Sequence, residues 1–210
     1  MRLIAESFAW PFRARPSTWI WGCVCVLLLP FLFMPLFGYA ILATRSSELD
    51  PRSPPPRWGV SFRTLWLGGW TVLLVAVITA PFAYVLNPVA NLLDGAGINF
   101  AIIFAALVLA LPWGVVMLLV VPHGAAAVAA SGEPQDLFDV ASALRTVRRD
   151  FPTWNLVVAA IVTAWAIGIA CAGLLCVGIV PGVFYAILVS AHAAAALHGP
   201  IAPSADSPAR

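Results

Sequence analysis

Residues 154–198 run for 45 positions without one Asp, Glu, Lys or Arg. A helix rising 1.5 Å per residue needs about 20 residues to cross the apolar core of a bilayer. This run is long enough for two crossings, with "VGIVPG" at 177–182 as the natural turn. Three further apolar regions precede it, at 19–44, 64–86 and 99–121. Pro30 and Pro35 interrupt the first, Pro81 lies near the end of the second, and Pro112 is central in the third.

With 62% hydrophobic and 10% charged residues, the chain falls far below the roughly 25% charge of a soluble domain. Soluble and disordered classes are therefore excluded. The expected fold is all-α: one polytopic transmembrane helical bundle over residues 1–210, with about 4–6 membrane segments and interfacial amphipathic helices. A net charge of +2 is too small to point to nucleic acid, and all eleven basic residues are Arg. That bias, with abundant Ala and Pro, fits a GC-rich bacterial genome. The h-region at 19–44 is too long for a cleavable signal, so it is expected to be retained.

Charge sets the expected topology. Arg45, Arg52, Arg57 and Arg63 lie in 45–63, and Arg145, Arg148 and Arg149 in 122–153. Segment 87–98 has no basic residue, and the tail 199–210 carries Arg210. The positive-inside rule puts 45–63, 122–153 and the tail in the cytoplasm, and 87–98 outside. The expected location is the cell membrane, as a multi-pass protein. Arg2, Arg13 and Arg15 pull the N-terminus inward as well. Region 19–44 must then enter and return as a re-entrant hairpin sheltered by protein, because arms of roughly 13 residues are too short for two full spans. The rival is a single kinked span with the N-terminus outside.

Two segments read as interfacial. In 1–18, Leu3, Ile4, Phe8 and Phe12 recur at near-helical spacing, with amphipathic Trp10, and Pro11 and Pro16 limit the helix. In 135–151, Leu137, Val140, Ala141, Leu144, Val147 and Phe151 form an apolar stripe, while Asp136, Asp139, Ser142, Arg145 and Arg149 face away. Acidic residues lead and basic residues follow, which suits the helix dipole. "PRSPPPR" at 51–57 reads as a stiff, extended spacer.

Two stretches repeat. "PLFGYAILAT" at 35–44 and "PGVFYAILVS" at 181–190 share Pro, then Tyr-Ala-Ile-Leu, then a hydroxyl residue nine after the Pro. "FRARPSTW" and "RRDFPTW" precede them, ending at Trp19 and Trp154. Each unit reads as basic pair, Pro, hydroxyl, Trp, apolar run, Pro, Tyr. Trp19 to Tyr39 spans 20 residues and Trp154 to Tyr185 spans 31, so the first unit is the shorter. A fainter copy is "VPHGAAAVAAS", with Pro122 nine residues before Ser131.

"FAWPF" at 8–12, "PLFGY" at 35–39, "PPPRW" at 54–58 and "LWLGGW" at 65–70 resemble the domain-of-unknown-function family 4013 (DUF4013) of prokaryotic membrane proteins. "PGVFY" at 181–185 is compatible with it. The resemblance implies a multi-span membrane protein and no particular activity.

Catalytic motifs are missing. No GxSxG, HExxH, CxxC or phosphate loop occurs, and the predicted spans hold no Asp, Glu, Lys or Arg. Asp94 in "LLDGAGIN" reads as a turn residue. His123 and His192 sit near span ends and read as hydrogen-bonded residues. His198 lies where a helix C-terminus favours positive charge. Cys23, Cys25, Cys171 and Cys176 behave as small hydrophobes. Thr71, Thr79 and Thr163 are expected to bond preceding carbonyls. Gly168, Ala172 and Gly173 read as a close-packing face. No catalytic, cofactor-binding or metal site is expected. The expected partners are the lipid bilayer and other membrane subunits, and not nucleic acid. The expected role is a non-enzymatic scaffold or accessory subunit. The alternative is a channel or transporter for a neutral or apolar solute.

Overall fold

The structure is a computed structural model that describes residues 2–173 and 178–197. Among them are eight α-helices and no strand: α1 (Arg2–Ala9), α2 (Pro16–Leu27), α3 (Leu29–Leu49), α4 (Phe62–Gly95), α5 (Ala101–Ser131), α6 (Val140–Arg149), α7 (Phe151–Ala170) and α8 (Ile179–Ala195). Short 3-10 turns occupy Trp10–Arg13, Pro134–Phe138 and Cys171–Gly173. The fold is an all-α bundle, and α4, α5 and α7 are long and apolar enough to cross a membrane.

α4 and α5 exceed the apolar runs that predict them. They contain Pro81, Pro88, Pro112 and Pro122 without ending there. The 34 and 31 residues give about 51 and 46 Å of helix. A proline removes one backbone donor. In apolar surroundings no water replaces lost bonds, so the chain keeps the rest of its helical ladder. The expected outer loop 87–98 thereby shrinks to the residues between Gly95 and Ala101. Its turn is a backbone device: the Gly97 amide donates to the Asp94 carbonyl at 2.9 Å, with Gly97 at φ +77°. α7 stops at Ala170 rather than 177, and α8 takes Pro181 into its first turn. His198, Cys176 and the tail from 199 lie outside the described residues.

α3 and α8 form the centre. They run the same way, with Tyr39 beside Phe184 at 6.3 Å between rings and Pro51 beside His192 further along. α8 is the most buried helix, from Phe184 through Ala195 on most positions. α2 lies on α8, where Gly22 sits under the Phe184 ring. α7 returns along α8, where Gly168 and Gly182 meet backbone to backbone. Gly173 has open space, so the close-packing face rests on Gly168 and not on Gly173. On the other side α4 packs against α3 through Gly38 and Gly68.

α2 and α3 fold back on each other. Helical geometry lapses at Leu28 (φ −97°, ψ 28°) and again at Leu32 (φ −115°, ψ 20°). The two ends of the apolar stretch 19–44 are therefore neighbours: Arg13 Nη1 donates to the Arg52 carbonyl at 3.2 Å. Thr71 Oγ1 bonds the Leu67 carbonyl, as hydroxyls in apolar helices do, but Thr79 instead takes the Trp113 indole N–H at 3.2 Å. Thr163 is exposed.

The repeated stretches share local geometry. Thr44 Oγ1 donates to the Ala40 carbonyl at 3.0 Å, and Ser190 Oγ to the Ala186 carbonyl at 2.7 Å. Ala40 and Ala186 occupy the same place in the two copies. Tyr39 donates to the Pro56 carbonyl at 2.9 Å and Tyr185 to the Phe8 carbonyl at 3.0 Å, so each tyrosine clamps a segment outside its own helix.

The amphipathic segments differ from their sequence reading. Trp10 is fully buried, because the N-terminal segment packs against α7 and α8. The stretch 135–151 is not one helix: it breaks at Asp139, whose carboxylate caps α6 through the Ser142 amide, and again at Asp150, so that Phe151 opens α7. Leu137 and Ala143 are buried and Phe138 packs edge-on against Trp70, while Val140, Leu144 and Phe151 are exposed. Asp150 caps α7 in the same way, and bonds from Thr153 hold its carboxyl below the usual range.

Candidate functional site at the basic end

Three basic segments gather at one end of the bundle. Arg13 reaches Arg52, and Arg63 reaches the backbone at Gly132, where a Cβ would stand 3.1 Å from its Nη2. Arg148 and Arg149 close α6 next to the start of α7. A helix end has four carbonyls without helical partners. Past that end, the carbonyls of Pro51, Arg52 and Ser53 face side chains from far away in sequence.

The joint is built from three layers. Trp10 Nε1 donates to the Ser53 carbonyl at 2.8 Å, and its ring lies 5.1 Å from the His192 ring. His192 Nε2 faces the Pro51 carbonyl at 3.4 Å, and Ser7 Oγ lies 3.0 Å from Nδ1. A carbonyl only accepts, so Nε2 carries the proton and Nδ1 accepts from the Ser7 hydroxyl. His192 is thus a connector between α1, α8 and the loop after α3. A cavity of about 680 Å³ opens beside it, lined by Glu6, Arg13, Asp50, Pro51 and Arg52.

Glu48 lies on the same end, beyond the apolar stretch 19–44. It is 2% exposed, and neither carboxylate oxygen has a hydrogen-bond partner. Thr44 and Ser47, also buried, lie alongside it. Burial pushes its carboxyl up to about 7, against the pull of Arg45. The folded state therefore holds the proton more tightly than the unfolded chain does. The associated stability is complete below about pH 4.5 and is lost as pH rises through 7. Thermal midpoints in detergent should fall between pH 5 and pH 8. Glu48→Gln should remove that fall and raise the midpoint at pH 8 by about 5 °C, or roughly 2 kcal/mol after allowance for screening. An unchanged pH slope in the variant would contradict this.

Sequence reasoning missed Glu48, Ser7 and Glu6. The signal for Glu48 was a helical one: Ile41, Thr44 and Glu48 share a stripe once α3 continues past the apolar run. Nothing local marks Ser7, whose partner is 185 positions away. Of the residues singled out earlier, His192 joins this site, and His123 is buried within α5. Cys23, Cys25 and Cys171 are free thiols. Among the described residues, no three His, Cys, Asp or Glu side chains gather in a metal-holding group.

The family described as "Protein of unknown function (DUF4013)" matches residues 22–190. The chain belongs to this family. No curated protein and no solved structure matches it. The DUF4013 match runs from α2 into α8. It includes Glu48, Asp50, Pro51 and Arg52, but not Ser7, Trp10, Arg13 or His192. The joint thus ties the matched part of this DUF4013 protein to residues on either side of it.

Proposed function

We propose that this DUF4013 protein is a non-enzymatic scaffold or accessory subunit of a membrane assembly. On this reading it resides in the cell membrane, with its basic end in the cytoplasm and α2–α3 as a re-entrant hairpin. One observation carries the proposal. Only 6% of the apolar midsection of α4, and 6% of that of α5, is buried within the chain. Ile103, Leu107 and Leu111 on α5 are all more than half exposed. The core instead concentrates around α3, α8 and the basic end. Lipid can cover such helices, but two long helices held out from their own core also offer a surface for a neighbouring subunit. The gathering of arginines at one end supports the orientation.

Photocrosslinking side chains placed at Ile103 and Leu111 in native membranes test this reading. The expected result is a discrete protein adduct of defined mass at both positions. Lipid adducts alone, with solute flux by the purified protein in liposomes, would overturn it in favour of a channel or carrier.

A further inference from the structure

We infer that the cavity at the basic end binds a zwitterionic phospholipid headgroup, a phosphodiester bearing a primary ammonium. Charge selects the class of ligand. Arg13 and Arg52 supply two positive charges to the lining, and Glu6 and Asp50 supply two negative ones. A purely anionic ligand would meet both carboxylates, and a simple cation both guanidinium groups. A ligand carrying both signs meets each with its opposite, and guanidinium geometry suits phosphate oxygens. A primary ammonium adds three N–H donors that carboxylates can accept.

The cavity is also held in shape. One wall belongs to the N-terminal segment (Glu6, Arg13), the other to the loop after α3 (Asp50, Pro51, Arg52). Three connections tie these walls together: Trp10 to Ser53, Arg13 to Arg52, and His192 between Ser7 and Pro51. Asp50 is fixed by the Arg52 amide on one oxygen at 2.9 Å. Arg13 gives one of its five N–H donors to the Arg52 carbonyl, which holds its guanidinium at the cavity wall. Walls already ordered reduce the entropy lost on binding.

The ligand is assigned to the membrane because of what surrounds the cavity. The cavity lies where the apolar helices α3 and α8 end, the depth of lipid headgroups in a membrane protein. Phe12, next to Arg13 of the cavity wall, is 75% exposed and suits the acyl chains of a lipid whose headgroup sits in the cavity.

Native mass spectrometry of the full chain tests the inference. The protein is stripped of lipid and offered equimolar phosphatidylethanolamine, phosphatidylcholine and phosphatidylglycerol with identical acyl chains. Phosphatidylethanolamine should be retained up to about fivefold over phosphatidylglycerol, the order of one exposed charge pair, and also over phosphatidylcholine, whose ammonium has no N–H donor. Glu6→Gln with Asp50→Asn should abolish the preference over phosphatidylglycerol. Arg13→Gln with Arg52→Gln should lower retention of both lipids. Equal retention of the three lipids by the wild-type chain would overturn the inference, as would a preference unchanged in both double variants. Micromolar binding of soluble glycerophosphoethanolamine would overturn the lipid source in favour of a free phospho-amine. The wild-type measurement needs no substitution, so a variant that fails to fold leaves the test decisive.

Discussion

Gly38→Ala should prevent this protein from folding to a stable form in detergent, and Gly68→Ala should do the same. A Cβ on Gly38 would stand 1.8 Å from the Thr64 carbonyl oxygen, and one on Gly68 1.8 Å from that of Met34. Both obstacles are backbone atoms, so no side-chain rotation relieves them. α3 and α4 would have to separate by more than 1 Å along their shared length, with the loss of packing on both sides. The expected cost exceeds about 4 kcal/mol, the range reserved for disruption of a core. Gly69→Ala is the control. Its Cβ would meet nothing within 4 Å. That substitution should leave stability unchanged or raise it by up to about 1 kcal/mol through helix propensity. Size-exclusion profiles and thermal midpoints of the three variants check the contrast. Equal behaviour of Gly68→Ala and Gly69→Ala would show that α3 and α4 do not approach as described.

Trp10→Ala should bring the second large loss. Trp10 is wholly buried and sits between Ser53 and His192. Truncation opens a cavity of most of an indole and leaves the Ser53 carbonyl without its donor. Large-to-small changes of this kind cost about 3–5 kcal/mol. Trp10→Phe keeps much of the volume and loses the hydrogen bond, so its cost should be nearer 1–2 kcal/mol. Differential scanning fluorimetry orders the two variants. A wild-type midpoint for Trp10→Ala would mean that the N-terminal segment does not dock on the bundle.

Much of this architecture was legible before any coordinates, and the physical reasons for what was not are specific. Charge-free apolar runs are a global property, so the helical membrane class followed from them directly. The short motifs around Pro35 and "LWLGGW" carried the family. Proline does not set the helix ends here. Pro88 and Pro122 sit inside helices because an apolar setting preserves the remaining ladder. "LWLGGW" marked a small-residue segment but not which glycine touches α3; one helical position decides between Gly68 and Gly69. Trp10 looked amphipathic from its neighbours, whereas its burial depends on Ser53 and His192, which are distant in sequence. Ser7 was invisible for the same reason: its partner His192 lies 185 positions away. The two copies of the Pro-Tyr unit were legible as a pattern, and the shared bonds of Thr44 and Ser190 give that pattern a local structural meaning.

The arrangement of the chain in the membrane has one direct measurement. Cys23, Cys25, Cys171 and Cys176 are replaced, and single cysteines are placed at Ser17, Pro54 and Ala96. A membrane-impermeant maleimide is then applied to each face of sealed vesicles. The Arg13–Arg52 contact and the α2–α3 reversal predict that positions 17 and 54 label from one face and position 96 from the other. Labelling of 17 and 54 from opposite faces, or of 54 and 96 from the same face, would contradict the account.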